Sequence, residues 1–139
     1  MAARFKLLSH PADIGIEARG ATLPEAFTHV ADGLMSLIVE PSTVHGRHMR
    51  EVVLESNDLE HLLFLWLSEI LYLYDGEQFL VRHATVTSVS PSHLRAIVVG
   101  EPLDRSRHVF RTEVKGITYH QLAVTQTGDE HTLRVFVDI

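Results

Sequence analysis

Two acids stand where acids are uncommon. Asp13 follows Ser9-His10-Pro11-Ala12, which breaks a short apolar run, and it opens an alternating stretch. Asp138 lies inside the apolar ending Val135-Phe136-Val137-Asp138-Ile139. A carboxylate at either place can accept hydrogen bonds, exchange a proton or ligate a hard cation. For Asp13 the plain reading is an Asx-turn, with the carboxylate accepting a nearby backbone N–H. The chemical reading is a metal ligand or a general base. For Asp138 the plain reading is a solvated strand end. The chemical one is an all-oxygen cation site, because Asp138 and the terminal carboxylate of Ile139 offer several oxygens close together. If Phe136 points into the core, so does Asp138; if Val135 and Val137 do, Asp138 points out.

Other polar residues carry less pattern. His10 is placed to orient the Asp13 carboxylate or a phosphate. Lys115 lies near Glu113 and Tyr119 and reads as a surface cation. Glu69 reads as a boundary salt bridge, and His108 and His120 as ordinary loop or strand histidines. The chain has no Gly-rich phosphate loop, no G-x-S-x-G and no H-E-x-x-H. With no cysteine it has no thiolate nucleophile, disulfide or cysteine metal site, which fits a reducing cytoplasm.

The elements that must position these residues are readable from periodicity. Asp58 to Asp75 (DLEHLLFLWLSEILYLYD) places Leu59, Leu62, Leu63, Trp66, Leu67, Ile70, Leu71, Leu73 and Tyr74 on one broad arc, leaving His61, Ser68 and the Tyr72 hydroxyl to water. A helix this apolar must be covered on most sides, yet its charged interruptions rule out a membrane span. Thr22 with Glu25 forms a capping box, and Pro24 sits in the first turn of a helix to about Val39. On that helix Glu25, Asp32 and Ser36 are expected to face water. Strands are expected at Arg4–Leu8, Ile14–Gly20, Met49–Glu55, Phe79–Ser90, Leu94–Gly100, Glu113–Thr125 and Thr132–Ile139, with a hairpin turn at Thr127-Gly128-Asp129-Glu130. Two helices among seven strands indicate an α+β fold: one domain over residues 1–139, a mixed sheet with both helices on one face.

Composition narrows the function. The chain has 139 residues, 45% of them hydrophobic, enough for one domain with a sizeable core. Its formal net charge is −6, with 12 Lys and Arg against 18 Asp and Glu. Direct, tight nucleic-acid binding is disfavoured, since that needs a concentrated basic surface. The opening MAARFKLL meets polar residues too soon for a signal peptide.

Four blocks together, HPADIGIEARGATLPEAF, DLEHLLFLWLSEILYLYD, GEPLDRSRHVFRTEVKGITYH and the closing VFVDI, resemble the archease family over essentially the whole chain. Pro11 stands where that family usually has threonine, and Thr43–Arg50 matches nothing in it. The resemblance implies a protein cofactor, not an enzyme acting alone. Its partner would be an RtcB-type RNA ligase, whose guanylylation and multiple turnover it would promote in tRNA splicing or RNA repair. It also implies a divalent-metal site, calcium foremost and Mg2+ or Mn2+ next, built from Asp13, Asp138 and Ile139. Lys115 matches a position tied to activity. RNA would be met only through the ligase. Two further readings are a small metal-dependent phosphoester hydrolase on the same acids and a chaperone-like binding module. The metal site requires that the last strand lie beside one from the first twenty residues.

Overall fold

The computed structural model describes residues 4–9 and 13–139. Its elements are β1 (Phe5–Ser9), β2 (Asp13–Gly20), α1 (Leu23–Ile38), a 3-10 turn (Pro41–Thr43), β3 (His48–Glu55), α2 (Leu59–Asp75), β4 (Phe79–Ser90), β5 (His93–Pro102), β6 (Gly116–Ile117), β7 (Ala123–Thr127) and β8 (Glu130–Asp138). The class is α+β, as read from the sequence. The strands divide into two sheets, however, and every pairing is antiparallel. The first sheet runs β1-β2-β8, with β6 and β7 sharing the far edge of β8; the second runs β3-β5-β4. Short connections join β1 to β2, β4 to β5 and β7 to β8, and such hairpins impose antiparallel pairing. The segment β2–α1–β3 passes from one sheet to the other, so it creates no parallel neighbours.

Both helices form for local reasons and are held by tertiary ones. Thr22 Oγ1 accepts the Glu25 N–H at 3.2 Å as the N-cap, and Glu25 Oε2 reaches back to accept the N–H of Ala21, the residue before the cap, at 2.9 Å. Asp58 Oδ1 caps α2 through the His61 N–H at 2.7 Å. No glycine closes α1. Its last carbonyls are met from a distant segment instead: the N–H groups of Arg111 and Thr112 donate to Ile38 and Leu37, and the Arg111 guanidinium to Ser36. Each helix packs against strands of both sheets. Leu62, Leu63, Trp66, Leu67 and Ile70 of α2 are fully buried, which is what its broad apolar arc demanded. The Trp66 indole N–H donates to the Phe27 carbonyl at 3.0 Å and so ties α2 to α1. No helix among the described residues is long and apolar enough to cross a membrane.

Two further expectations need correction. Glu113–Thr125 is not one strand but β6 and β7 with a turn between them. Thr118 donates both its N–H and its hydroxyl to the Phe136 carbonyl, Gln121 takes a positive φ of 52°, and the Leu122 N–H bonds Tyr119. The outward turn lets the Tyr119 ring stack on Phe64 at 4.2 Å and bond His61 Nδ1. Asp32 and Ser36 on α1 are half-buried rather than turned to water, because β1 and β4 close over that side.

The polar stretch after β5 is held by a buried acid. Glu101, 2% exposed, accepts two hydrogen bonds from Arg107 at 2.7 and 2.8 Å, one from His108 Nε2 at 2.8 Å and one from the His45 N–H at 2.7 Å. His108 Nδ1 accepts the Asp104 N–H, so the ring proton sits on Nε2, facing the carboxylate. His108 is thus a structural donor, consistent with its reading as an ordinary loop histidine. The same cluster fastens the Thr43–Arg50 segment, since Arg107 also donates to the Thr43 carbonyl. The hydrogen bonds from Arg107, and after them those from His108 and the His45 backbone, outweigh the effect of burial and hold the Glu101 carboxyl well below the usual carboxylate range.

Two predictions test this packing. Trp66→Ala should cost about 3–5 kcal/mol by opening a large cavity, measured by urea unfolding; a loss under about 1 kcal/mol would contradict the burial of α2. Glu101 titrates lower in the folded than in the unfolded chain, so its stabilisation is complete above the ordinary value of 4.5 and is lost as pH falls below it towards the lowered folded value. Melting temperature followed downward from pH 6 should therefore drop. Glu101→Gln should flatten that drop while lowering the neutral-pH melting temperature by about 5 °C or more. An unchanged acid limb in the variant would show that other groups govern it.

Candidate functional site

The pairing of β2 with β8 sets Asp13 directly opposite Asp138, and the register runs unbroken from there to Gly20 and His131. Which way Asp138 faces follows from the core. Ile16 and Ala18 of β2 and Leu133, Val135 and Val137 of β8 are buried on one side of the sheet. Asp13, Gly15, Phe136 and Asp138 occupy the other face. Directly opposed residues of an antiparallel pair have Cβ atoms about 4.5–5.5 Å apart, so the two carboxylates are neighbours. Asp13 is 8% exposed, and Asp138 lies open to solvent.

Phe136 belongs to that outer face yet is only 6% exposed. The His120 ring meets it edge-on at 5.6 Å. Across the strand pair stands Gly15, where a Cβ would come within 2.9 Å of both Leu8 Cβ and the Phe136 ring. The absent side chain is what lets the ring lie across the sheet. Phe136 and His120 thus form an apolar wall beside the acids. His120, read from sequence as ordinary, belongs to the surroundings of the site. The only sequence signal was a glycine and an aromatic in the same blocks as the acids, which does not indicate contact.

On its other side β8 pairs with β6, where Gly116 stands opposite Asp138. A Cβ there would touch nothing within 4 Å, so the ground beside Asp138 is open. The Lys115 N–H donates to the Asp138 carbonyl at 2.8 Å, which carries the ladder one step further and sets Lys115 beside Ile139. Val114 is buried and Lys115 exposed, so the amine stands on the surface at the same end of the sheet. Ile139, 38% exposed, extends β8 past the acid pair. His10 falls outside the described residues. Glu69 makes no ion pair among the described residues, so the boundary salt bridge expected for it is not formed.

Like charges directly opposed across a ladder destabilise it, so the pair favours a positive partner. Among the described residues no three His, Cys, Asp or Glu side chains gather in a metal-binding group. The two carboxylates would need main-chain oxygens, Ile139 among them, or water to complete a shell. The two carboxylates are oxygen donors, the chemistry that suits calcium, magnesium or manganese better than zinc or copper. The site thus fits a hard divalent cation, with the Lys115 ammonium as a second, mobile positive charge.

The profile of the Archease protein family (MTH1598/TM1083) matches residues 5–139. Proteins named archease from Methanosarcina barkeri and Thermococcus gammatolerans are 36% and 39% identical to this chain, over 98% and 96% of it and 96% of each relative. Among solved structures, protein 1598 of Methanobacterium thermoautotrophicum superposes with a TM-score of 0.84 at 26% identity, over 98% of this chain and 99% of that one. A Thermotoga maritima archease described as a possible chaperone superposes at 0.62 and 18% identity, over 96% of both, a likeness of fold alone.

Proposed function

The chain belongs to the archease protein family, and from that premise we propose that it is a protein activator of an RtcB-type RNA ligase, acting in the cytoplasm in tRNA splicing or RNA repair. The observation that carries this reading is the register of Asp13 opposite Asp138, with Lys115 alongside. Two acids from opposite ends of the sequence meet at one end of the sheet, where Asp138 is open to solvent and within a partner's reach. A divalent cation, calcium foremost, bound by Asp13, Asp138 and Ile139 would neutralise the pair and offer its remaining coordination positions to an oxygen anion of the partner. The rest is done by the chain itself. Gly116 leaves the approach beside Asp138 clear, and the Phe136–His120 wall keeps water off one flank of the acids. Lys115 supplies a flexible ammonium that can meet a phosphate or a carboxylate. These groups bind and orient, so the protein acts through the ligase, promoting its guanylylation and repeated turnover, rather than as a catalyst alone. Contact with RNA is made through the ligase.

Asp138→Ala tests this. The residue is exposed and its side chain fills no core space, so the fold should survive. A ligand that binds only the native state raises its melting temperature. The wild-type protein should therefore melt higher in millimolar calcium, and the variant should lose that rise. In a multiple-turnover ligation assay with the ligase from the same source, the variant should leave the rate at that of the ligase alone. Full activation by a normally folded variant would remove Asp138 from the site and favour a chaperone-like binding module. Hydrolysis of a phosphoester by the purified wild-type protein alone would favour a metal-dependent hydrolase instead.

A further inference from the structure

At the other end of β1 lies a cavity of about 520 Å3 that the acid pair does not explain. It opens where the two sheets approach each other over α1, and Arg4, Phe5, Asp32, Met35, Arg82 and His83 are among its lining. Its apolar part is Met35, 4% exposed, with Phe5, whose ring packs over Gly33 of α1; a Cβ on Gly33 would come within 3.3 Å of it. Its polar groups carry both signs. The Asp32 side chain is only 18% exposed and faces the His83 ring, with Nδ1 at 3.6 Å, and the Arg4 guanidinium at 3.9 Å. Burial raises the Asp32 pKa despite those charges. Arg82 makes no hydrogen bond or ion pair among the described residues. A half-buried carboxylate and an exposed guanidinium with no protein partner among the described residues therefore share one cavity with an apolar floor.

We infer that this cavity binds a guanine mononucleotide. A carboxylate is matched in two-pronged fashion by a flat group with two adjacent N–H donors, and among the nucleobases guanine presents that pair, N1–H and the exocyclic amine. Adenine and cytosine present one amino group beside an acceptor, which would face the Asp32 lone pairs. The flat base suits the Phe5–Met35 floor, as unstacked bases suit aromatic and apolar platforms. A phosphate suits Arg82 and Arg4; the latter is 67% exposed and free to swing from Asp32 to the anion. The volume lies in the range of small-molecule sites, about 300–1,000 Å3, and a lone inorganic ion would leave most of it empty. The same chemical group occurs in a free nucleotide and at an unpaired guanosine phosphate of an RNA chain. The inference is independent of the acid pair and of the ligase.

Titration of the 15N-labelled chain, followed by amide chemical shifts, decides it. 5′-GMP should shift the amides of Phe5, Ser36 and His83, binding roughly tenfold or more tightly than 5′-AMP or inorganic phosphate, since a site built around donors rejects bases lacking them. Asp32→Asn should abolish the preference for GMP over AMP. Arg82→Ala should abolish the advantage of GMP over guanosine. Both side chains border open space, so the remaining spectrum should keep its dispersion; if the Asn variant does not, Asp32→Glu, which keeps the charge and displaces it, should reduce the guanine preference in its place. A short single-stranded RNA with one guanosine that binds more tightly than GMP would mark the chain as the source, and weaker binding the free nucleotide; either supports the site. Equal binding of GMP and inorganic phosphate, a preference unaffected by Asp32→Asn, or no shift at millimolar GMP overturns it.

Discussion

The antiparallel register between β2 and β8 is the constraint on which the rest of the molecule depends. It joins the two ends of the sequence, and a slip of one residue would turn every side chain of β8 to the other face. Leu133, Val135 and Val137 fill the core beside Ile16 and Ala18, and so specify the register by burial. The position of the acids is a by-product of that apolar fit. The carboxylates of Asp13 and Asp138, opposed across the ladder, carry like charges that repel. Burial of these neighbours, at roughly 1.5–3 kcal/mol for each large side chain, easily outweighs a repulsion at the open end of the ladder.

The helices make that ladder possible by being covered on two sides. Because α1 and α2 each touch both sheets, neither sheet has to cover a helix by itself. The α1 C-terminus has no capping glycine and is finished instead by Arg111 and Thr112. Those residues belong to the segment that Glu101 fastens through Arg107 and His108 and that ends at Lys115 and β6. One buried carboxylate thus anchors the helix end, the Thr43–Arg50 segment and the approach to Lys115. Loss of Glu101 would be felt as loosened positioning at the candidate site even though Glu101 does not touch it.

Much of this was legible in the sequence, for identifiable reasons. The cap at Thr22 and the arc of α2 are local signals, and each element formed where its signal lay. Two strands near the termini with an acid in each were visible too. The direction of Asp138 was not, because Phe136 is as apolar as its neighbours and reads as a core residue; it is buried, but by Gly15 and His120 on the outer face. The two-sheet arrangement was hidden because strand periodicity tells which face is apolar and not which strand lies alongside. Glu113–Thr125 looked continuous because both of its halves pair with the same strand, and only the turn between them, held by Thr118, separates them. Glu101 carries no mark at all, since its partners come from residues that fold back onto it. Asp32 sat on the polar side of the α1 wheel, and a wheel cannot register that β1 and β4 arrive over that side.

The hairpin of β1 and β2 places the two polar centres of the molecule at opposite ends of one short strand. Phe5 lines the cavity beside Asp32, and Ser9 leads to the connection before Asp13. Five residues of strand span about 17 Å at roughly 3.4 Å per residue, longer than the screening length of about 8 Å at physiological salt. The strand itself is one physical connection between the two centres. β1 is an edge strand, paired on one side only, with its Leu7 side chain 47% exposed. Such an edge is the part of a sheet that a ligand or a partner can order or shift at least cost. A group that tightened the cavity around Phe5 would draw on the same backbone hydrogen bonds that fix Ser9 opposite Ile14, one residue from the first acid. The route between the two centres is thus a single ladder rung away from Asp13, and the core residues of β2 hold that rung in place.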